Sequence, residues 1–251
     1  MSTNSYKTLL VDLDGTLARA FLQITPRVAE AVRRVAELVP VGIVSSREHR
    51  TVAEVATGLG LRGLQIAEGG ARIFYPDTLE APWLRTLRPE DAKQILGYLE
   101  GNGLTFSAVE SDASVESSAL VADWRITRIS ATSLTPAQAR GIAQRFGALP
   151  EVHTAVIIRI DNGDWMVDFT HFTASKAAAV EQYAALHGIT PAQVIAAGDS
   201  YNDLPLLGAC GLGIAMGNAV DELKALADYI APSVDEDGLA IAIEEFVLPR
   251  L

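Results

Sequence analysis

Two aspartates one residue apart, Asp12 and Asp14, end the apolar run of LLVDLDGT. A second acidic pair, Asp199 and Asp203, lies in GDSYND behind another apolar run, VIAAG. Two carboxylates about 4 Å apart repel by about 4 kcal/mol at an effective dielectric of about 20. If Asp12, Asp14, Asp199 and Asp203 share one small volume, protons or a hard cation must neutralise them. An all-oxygen donor set completed by water suits Mg2+, which makes these four the candidate metal ligands. Asp12 is a candidate nucleophile toward phosphorus, giving an aspartyl-phosphate. Asp14 is a candidate acid for the leaving oxygen and then a base for the water that hydrolyses the intermediate. Gly15 lets the chain turn so that both groups face one pocket. Ser45 and Lys176 offer a hydrogen bond and a charge to a transferring phosphoryl group, with Asn202 as a further phosphate contact.

These residues need elements that bring distant segments together. KTLLVDLDGT and VPVGIVSS are short continuous apolar runs, as in parallel strands buried on both faces. Between them, ITPRVAEAVRRVAELVP carries Thr25 as N-cap, Pro26 at the first helical position and an apolar stripe of Val28, Ala31, Val32, Val35 and Leu38. REHRTVAEVATGLG predicts a second helix stopped at Gly60, and LQIAEGGARIFYP a third strand region with a glycine turn. The same alternation resumes after residue 170 with SKAAAVEQYAALHG, QVIAAGDS and GLGIAMGNA. It predicts an α/β fold with a doubly wound, mainly parallel, Rossmann-like core sheet. The middle reads as helix-strand-strand twice over, with Asp161-Asn162-Gly163-Asp164 as a hairpin signal. That pattern predicts an inserted α+β domain with an antiparallel sheet, over residues 80–170, between core segments 1–79 and 171–251. In such sheets ligands bind outside the carboxyl ends of the strands, where Asp12, Ser45 and Asp199 all fall.

Composition narrows the partners. The chain has 251 residues, 31 acidic against 20 basic, and a formal charge of −11, which disfavours nucleic acid or an anionic membrane as partner. A single cysteine, Cys210, precludes an intrachain disulfide, and no apolar run is long enough to span a membrane; a cytoplasmic setting is expected. Cys210, between Ala and Gly, reads as packed and inert. The four histidines lack metal-ligand spacing. Oligomeric state is not readable.

With DLDGT, Ser45 in VSSR, Lys176 in SKAAAV and GDSYND in this order, the chain resembles the haloacid dehalogenase-like superfamily. Within it the chain is similar specifically to the Cof-like phosphatases with a type IIB cap. AMGNA and ADYIAPSVDEDGLA resemble the C-terminal third of that branch. The resemblance implies a Mg2+-dependent phosphatase acting on a small phosphorylated metabolite, a sugar phosphate or phospho-acid, with the insertion as a cap. A phosphomutase of the phosphomannomutase type is the alternative enzyme, and a non-catalytic sensor of phosphate ligands the non-enzymatic one. The chain departs from the pattern at Ser46, where glycine is usual, at Gly69, where ENGA has asparagine, and at Ala177. Arg125, Arg128 and Arg159 in the insertion are candidates to clamp a substrate carboxylate or second phosphate, against the reading of a solvated strand face. Asn218 in MGNA is a candidate substrate contact, against the reading of a turn residue.

Overall fold

The structure, a computed structural model, describes residues 6–110, 113–158 and 163–251. It divides into two compact units, one of residues 1–82 with 176–251 and one of residues 83–175. The sequence placed these boundaries at 79/80 and 170/171.

The first unit opens with β1 (Thr8–Asp12), buried at every position. α1 (Pro26–Ala36) begins where expected: Val28 N donates to the Thr25 hydroxyl, and Pro26 takes the first position. It buries Val28, Ala31, Val32 and Val35, but it ends at Ala36, two residues short of Leu38. Leu38 therefore leaves the helical stripe and is 63% exposed, contrary to the periodic reading. β2 (Val41–Val44) and α2 (His49–Leu59) follow, and Gly60 closes α2 in the left-handed region at φ 80°. β3 (Gln65–Ala67) turns into β4 (Arg72–Phe74), which pairs with it antiparallel.

The second unit contains β5 (Trp83–Leu84), α3 (Pro89–Gly101), β6 (Phe106–Glu110), β7 (Ala113–Val115), β8 (Ile126–Leu134), α4 (Pro136–Phe146), β9 (Val152–Ile158) and β10 (Trp165–His171). β7-β6-β8-β10-β9 form an antiparallel sheet. Because side chains alternate along a strand, one face presents Phe106, Ala108, Ile129, Ala131, Val167 and Phe169 to Leu96 and Leu99 of α3 and Ile142 and Phe146 of α4. The opposite face carries Arg128, Ser130, Asp168 and Thr170 in register. SALVADWRITRIS reads in sequence as one strand from Ser118, yet β8 starts only at Ile126. Ahead of it, the Glu110 carboxylate accepts the backbone N–H groups of Ala122, Asp123 and Trp124, which holds that segment out of the ladder. Asp161 and Asn162 of the expected hairpin turn lie outside the described residues.

The first unit resumes with α5 (Lys176–Leu186), β11 (Val194–Gly198), α6 (Leu204–Ala209), β12 (Leu212–Ala215), α7 (Asp221–Leu226), β13 (Tyr229–Ile230) and α8 (Gly238–Ala242). Its strands run in the order β13-β12-β11-β1-β2-β3-β4. Every neighbouring pair except β3–β4 is parallel. The chain winds from β1 toward β2 on one side and returns to β11 on the other, so the switch in strand order falls at β1. Leu9, Val11, Ile43, Ile195, Ala197 and Ile214 on one sheet face pack with Val28, Val32, Val35 and Val52 of α1 and α2.

Candidate active site

Parallel pairing on both sides of β1 aligns the carboxyl ends of three strands, and the chemistry-bearing residues sit there. Asp12 ends β1, Ser45 follows β2, and Asp199 follows β11. Asp12, Ser45, Lys176, Asp199 and Asp203 are all buried. The close approach depends on glycine. Gly15 turns at φ +84°, and a Cβ there would collide with the Asp199 carboxylate. A Cβ on Gly198 would lie 2.6 Å from Asp203 Cγ.

Lys176, the first residue of α5, places its ammonium between two carboxylates, with Nζ 2.5 Å from Asp12 Oδ1 and 2.5 Å from Asp203 Oδ1. Burial by itself would lower the lysine pKa, but the charges of Asp12 and Asp203 override it and push it up. They also account for a cation at a helix N-terminus, where the dipole disfavours one. The other oxygen of Asp203, Oδ2, accepts the backbone N–H groups of Asp199 and Ser200 at 3.0 Å each, and the Ser200 hydroxyl at 3.2 Å. Asp203 thus knots the GDSYND loop and tethers Lys176. Asp199 is steadied by the Thr16 hydroxyl on Oδ1 at 3.2 Å and the Asn218 amide on Oδ2 at 3.3 Å.

Asp12, Asp199 and Asp203 each offer a carboxylate oxygen, and these oxygens lie within 4.8 Å of one another. Burial and then the charge of Asp203 hold the Asp12 carboxyl well above the usual range, against the pull of Lys176. The same two causes push Asp199 up to about 7. Three carboxylates with one ammonium leave uncompensated negative charge, and the donors are all hard oxygens. This set fits a divalent cation, which replaces the protons that burial otherwise favours.

Asp14 does not join this group, contrary to the expected four-aspartate cluster. Its carboxylate is gripped by Arg47 through two parallel hydrogen bonds, Nε to Oδ2 at 2.7 Å and Nη2 to Oδ1 at 2.8 Å. Its charge still contributes to raising Asp199. Ser45 Oγ accepts the Arg47 backbone N–H at 3.1 Å. Asn202 is fixed at both ends of its amide, accepting from Ser200 Oγ and donating to Ser46 Oγ at 3.4 Å.

Asn218 is a brace: its amide donates to the Gly15 carbonyl at 2.9 Å as well as to Asp199, and its Oδ1 accepts the Val234 N–H at 2.8 Å. Within the second unit Arg128 is buried with its guanidinium 3.6 Å from the Asp168 carboxylate, so the reading of a solvated strand face fails for it. Arg125 is exposed, and Arg159 lies outside the described residues. Burial pushes the Cys210 thiol up to about 12, away from reactivity. Thr16, Ser46 and Arg47 were not singled out as site residues. Their only signal is adjacency, Thr16 following DLDG and the other two following Ser45 at a strand end.

No helix among the described residues is long and apolar enough to cross a membrane. The family model for haloacid dehalogenase-like hydrolases matches residues 9–132 and 122–243. A phosphoglycolate phosphatase of Methanoculleus marisnigri is 26% identical over 244 residues, covering 96% of each chain. A haloacid dehalogenase-like hydrolase of Bacillus subtilis superposes with a TM-score of 0.85 at 22% identity, over 96% of this chain and 99% of its own. A subclass IIB sugar phosphatase of the same superfamily gives a TM-score of 0.79 at 20% identity, over 96% and 99%. The two structures speak for the fold, and the family model runs through both core segments and the insertion between them. The chain belongs to the haloacid dehalogenase-like hydrolases.

Proposed function

We propose that this hydrolase is a Mg2+-dependent phosphatase of small phosphorylated metabolites, sugar phosphates or phospho-acids, working through an aspartyl-phosphate on Asp12. The observation that carries the reading is the Lys176 ammonium clamped between Asp12 and Asp203, beside Asp199, at the carboxyl ends of β1 and β11. Such a site has a carboxylate fixed for attack, a cation beside it and an oxygen set for a metal, all largely shielded from water.

In this reading Asp12 attacks phosphorus, and the bond from phosphorus to the leaving oxygen breaks as Asp14 delivers a proton to that oxygen. Asp14 then takes a proton from the water that attacks the aspartyl-phosphate, releasing phosphate and freeing Asp12. Lys176 holds Asp12 in place and offsets charge, while Ser45 and Asn202 orient the phosphoryl oxygens. Asp12 and Asp199 would hold Mg2+, which supplies neutralising charge to the phosphoryl group when bound. Asp203, its oxygens already engaged by Lys176 and the loop amides, serves as the brace behind them. The names of relatives that act on phosphoglycolate and on sugar phosphates support the substrate class.

The test is turnover of p-nitrophenyl phosphate, followed by a panel of phosphorylated metabolites scored for phosphate release. Activity is expected with Mg2+ and is expected to vanish with EDTA and in Asp12→Asn. Undiminished turnover in Asp12→Asn removes the nucleophile, and isomerised sugar phosphate without free phosphate would make the enzyme a mutase.

A further inference from the structure

Between β3 and β4 the chain turns through Glu68, Gly69 and Gly70, at φ 55°, 68° and 104°. Glycine takes such a conformation without strain, and glutamate does not. The backbone of this turn serves the strand end that carries Ser45. Ser45 N donates to the Ile66 carbonyl at 3.0 Å, Glu68 N to the Arg47 carbonyl at 2.9 Å, and Gly69 N to the Ser45 carbonyl at 3.0 Å. A glycine at 68 would supply the same N–H more easily, so the side chain has to account for the glutamate. Its carboxylate is fully buried. Oε1 accepts the His49 N–H at the start of α2 at 3.3 Å and stands 2.7 Å from His49 Nδ1, while Oε2 accepts from Arg72 Nε at 3.3 Å. His49 and Arg72 are buried as well. A buried ionic group of this kind is a poor source of stability, because apolar side chains of similar volume often serve the fold as well.

We infer that Glu68 is a positioning residue for the phosphoryl-holding hydroxyl of Ser45, an inference that rests on the phosphatase reading above. Residues 45–48 link the end of β2 to the start of α2. Glu68 pins this link twice: its N–H holds the Arg47 carbonyl, and its carboxylate holds the first N–H of α2, where an anion also complements the helix dipole. The Ser45 hydroxyl accepts the Arg47 N–H at 3.1 Å, so its orientation follows the backbone that Glu68 fixes. With that lone pair engaged, the hydroxyl hydrogen is left to be aimed at a phosphoryl oxygen. Arg72 offsets the glutamate charge, which would otherwise oppose phosphate binding from behind the link. Glu68 acts through Ser45 and takes no part in the bond-making steps.

Phosphate affinity separates this role from a structural one. A merely structural loss lowers the folded fraction and with it kcat. It leaves KM for p-nitrophenyl phosphate and the inhibition constant of inorganic phosphate where they were. Glu68→Gly combined with Arg72→Met relaxes the turn and buries no lone charge. This variant is expected to raise both constants by about 10-fold, with kcat within about 3-fold of wild type and a single melting transition. Glu68→Gln combined with Arg72→Met restores an oxygen for the His49 N–H, and should bring both constants back to within about 3-fold of wild type. Added to Ser45→Ala, the glycine pair should cost little more than Ser45→Ala alone. Constants unchanged in the glycine variant, no recovery with glutamine, or additive losses over Ser45→Ala overturn the assignment while the enzyme stays a phosphatase. Loss of the melting transition in the glycine variant makes the buried cluster structural and overturns it likewise. A wild-type protein that hydrolyses no p-nitrophenyl phosphate with Mg2+ overturns the phosphatase reading and the inference with it.

Discussion

Asp199 is held firmly yet ionised reluctantly. Thr16 and Asn218 steady its two oxygens, while burial and the neighbouring Asp203 push its carboxyl from the usual 3.8 up to about 7. The folded metal-free protein therefore binds a proton at Asp199 more tightly than the unfolded chain does. That contribution to stability is complete below about pH 4 and is lost as pH rises toward and through 7. Protein stripped with EDTA should melt several degrees lower at pH 8 than at pH 6, and added Mg2+ should raise the melting temperature more at pH 8 than at pH 6. A melting temperature flat across that range, with no pH-dependent gain from Mg2+, would mean that the three carboxylates are not a cation site. Asp12, also raised, acts in the same direction.

At the scale of the element, α1 shows what sets a helix and what a periodic pattern misses. Thr25 caps its N-terminus through Val28 N and also donates to Asp237 Oδ1 at 2.8 Å, tying the helix start to the C-terminal segment. Its apolar stripe is real through Val35, which is fully buried, and ends there because the chain leaves helical geometry before Leu38. Val35→Ala should cost about 2 kcal/mol through the cavity it leaves, whereas Leu38→Gln should stay within about 0.5 kcal/mol, both read from urea unfolding. Comparable costs at the two positions would place Leu38 in the core after all. The contrast marks what was legible. β1, β2 and β11 declare themselves because strands covered on both faces must be apolar throughout, and their ends then locate Asp12, Ser45 and Asp199. The two-residue β13 and the late start of β8 do not, because a register pair or a distant Glu110 cap decides them. The Arg47–Asp14 fork was illegible for the same reason: 33 residues separate its partners, and neither type nor spacing announces the pairing.

For the molecule as a whole, the division into two units separates chemistry from the inserted sheet. Asp12, Asp14, Ser45, Lys176, Asp199 and Asp203 all belong to the first unit, and each unit has a hydrophobic core of its own. The second unit is one continuous stretch of chain, whereas the first is assembled from two. Its core pairs one sheet face with α3 and α4, and the aromatic rings of Tyr98, Phe146 and Phe169 meet edge to face inside it. The other sheet face mixes Val109, Ala155 and Met166 with polar groups that satisfy one another in part, since Ser130 donates to Asp168 at 2.6 Å and Arg128 stands beside the same carboxylate. The core of α3, α4 and one sheet face lies wholly within this stretch of chain. Residues 83–175 expressed alone should therefore fold, showing a single cooperative urea transition with m of about 1 kcal/mol/M. They should hydrolyse no p-nitrophenyl phosphate at any Mg2+ concentration. A broad, probe-dependent transition would show that this core is too small to stand without the first unit, and phosphatase activity in the fragment would move the chemistry away from the aspartates of the parallel sheet.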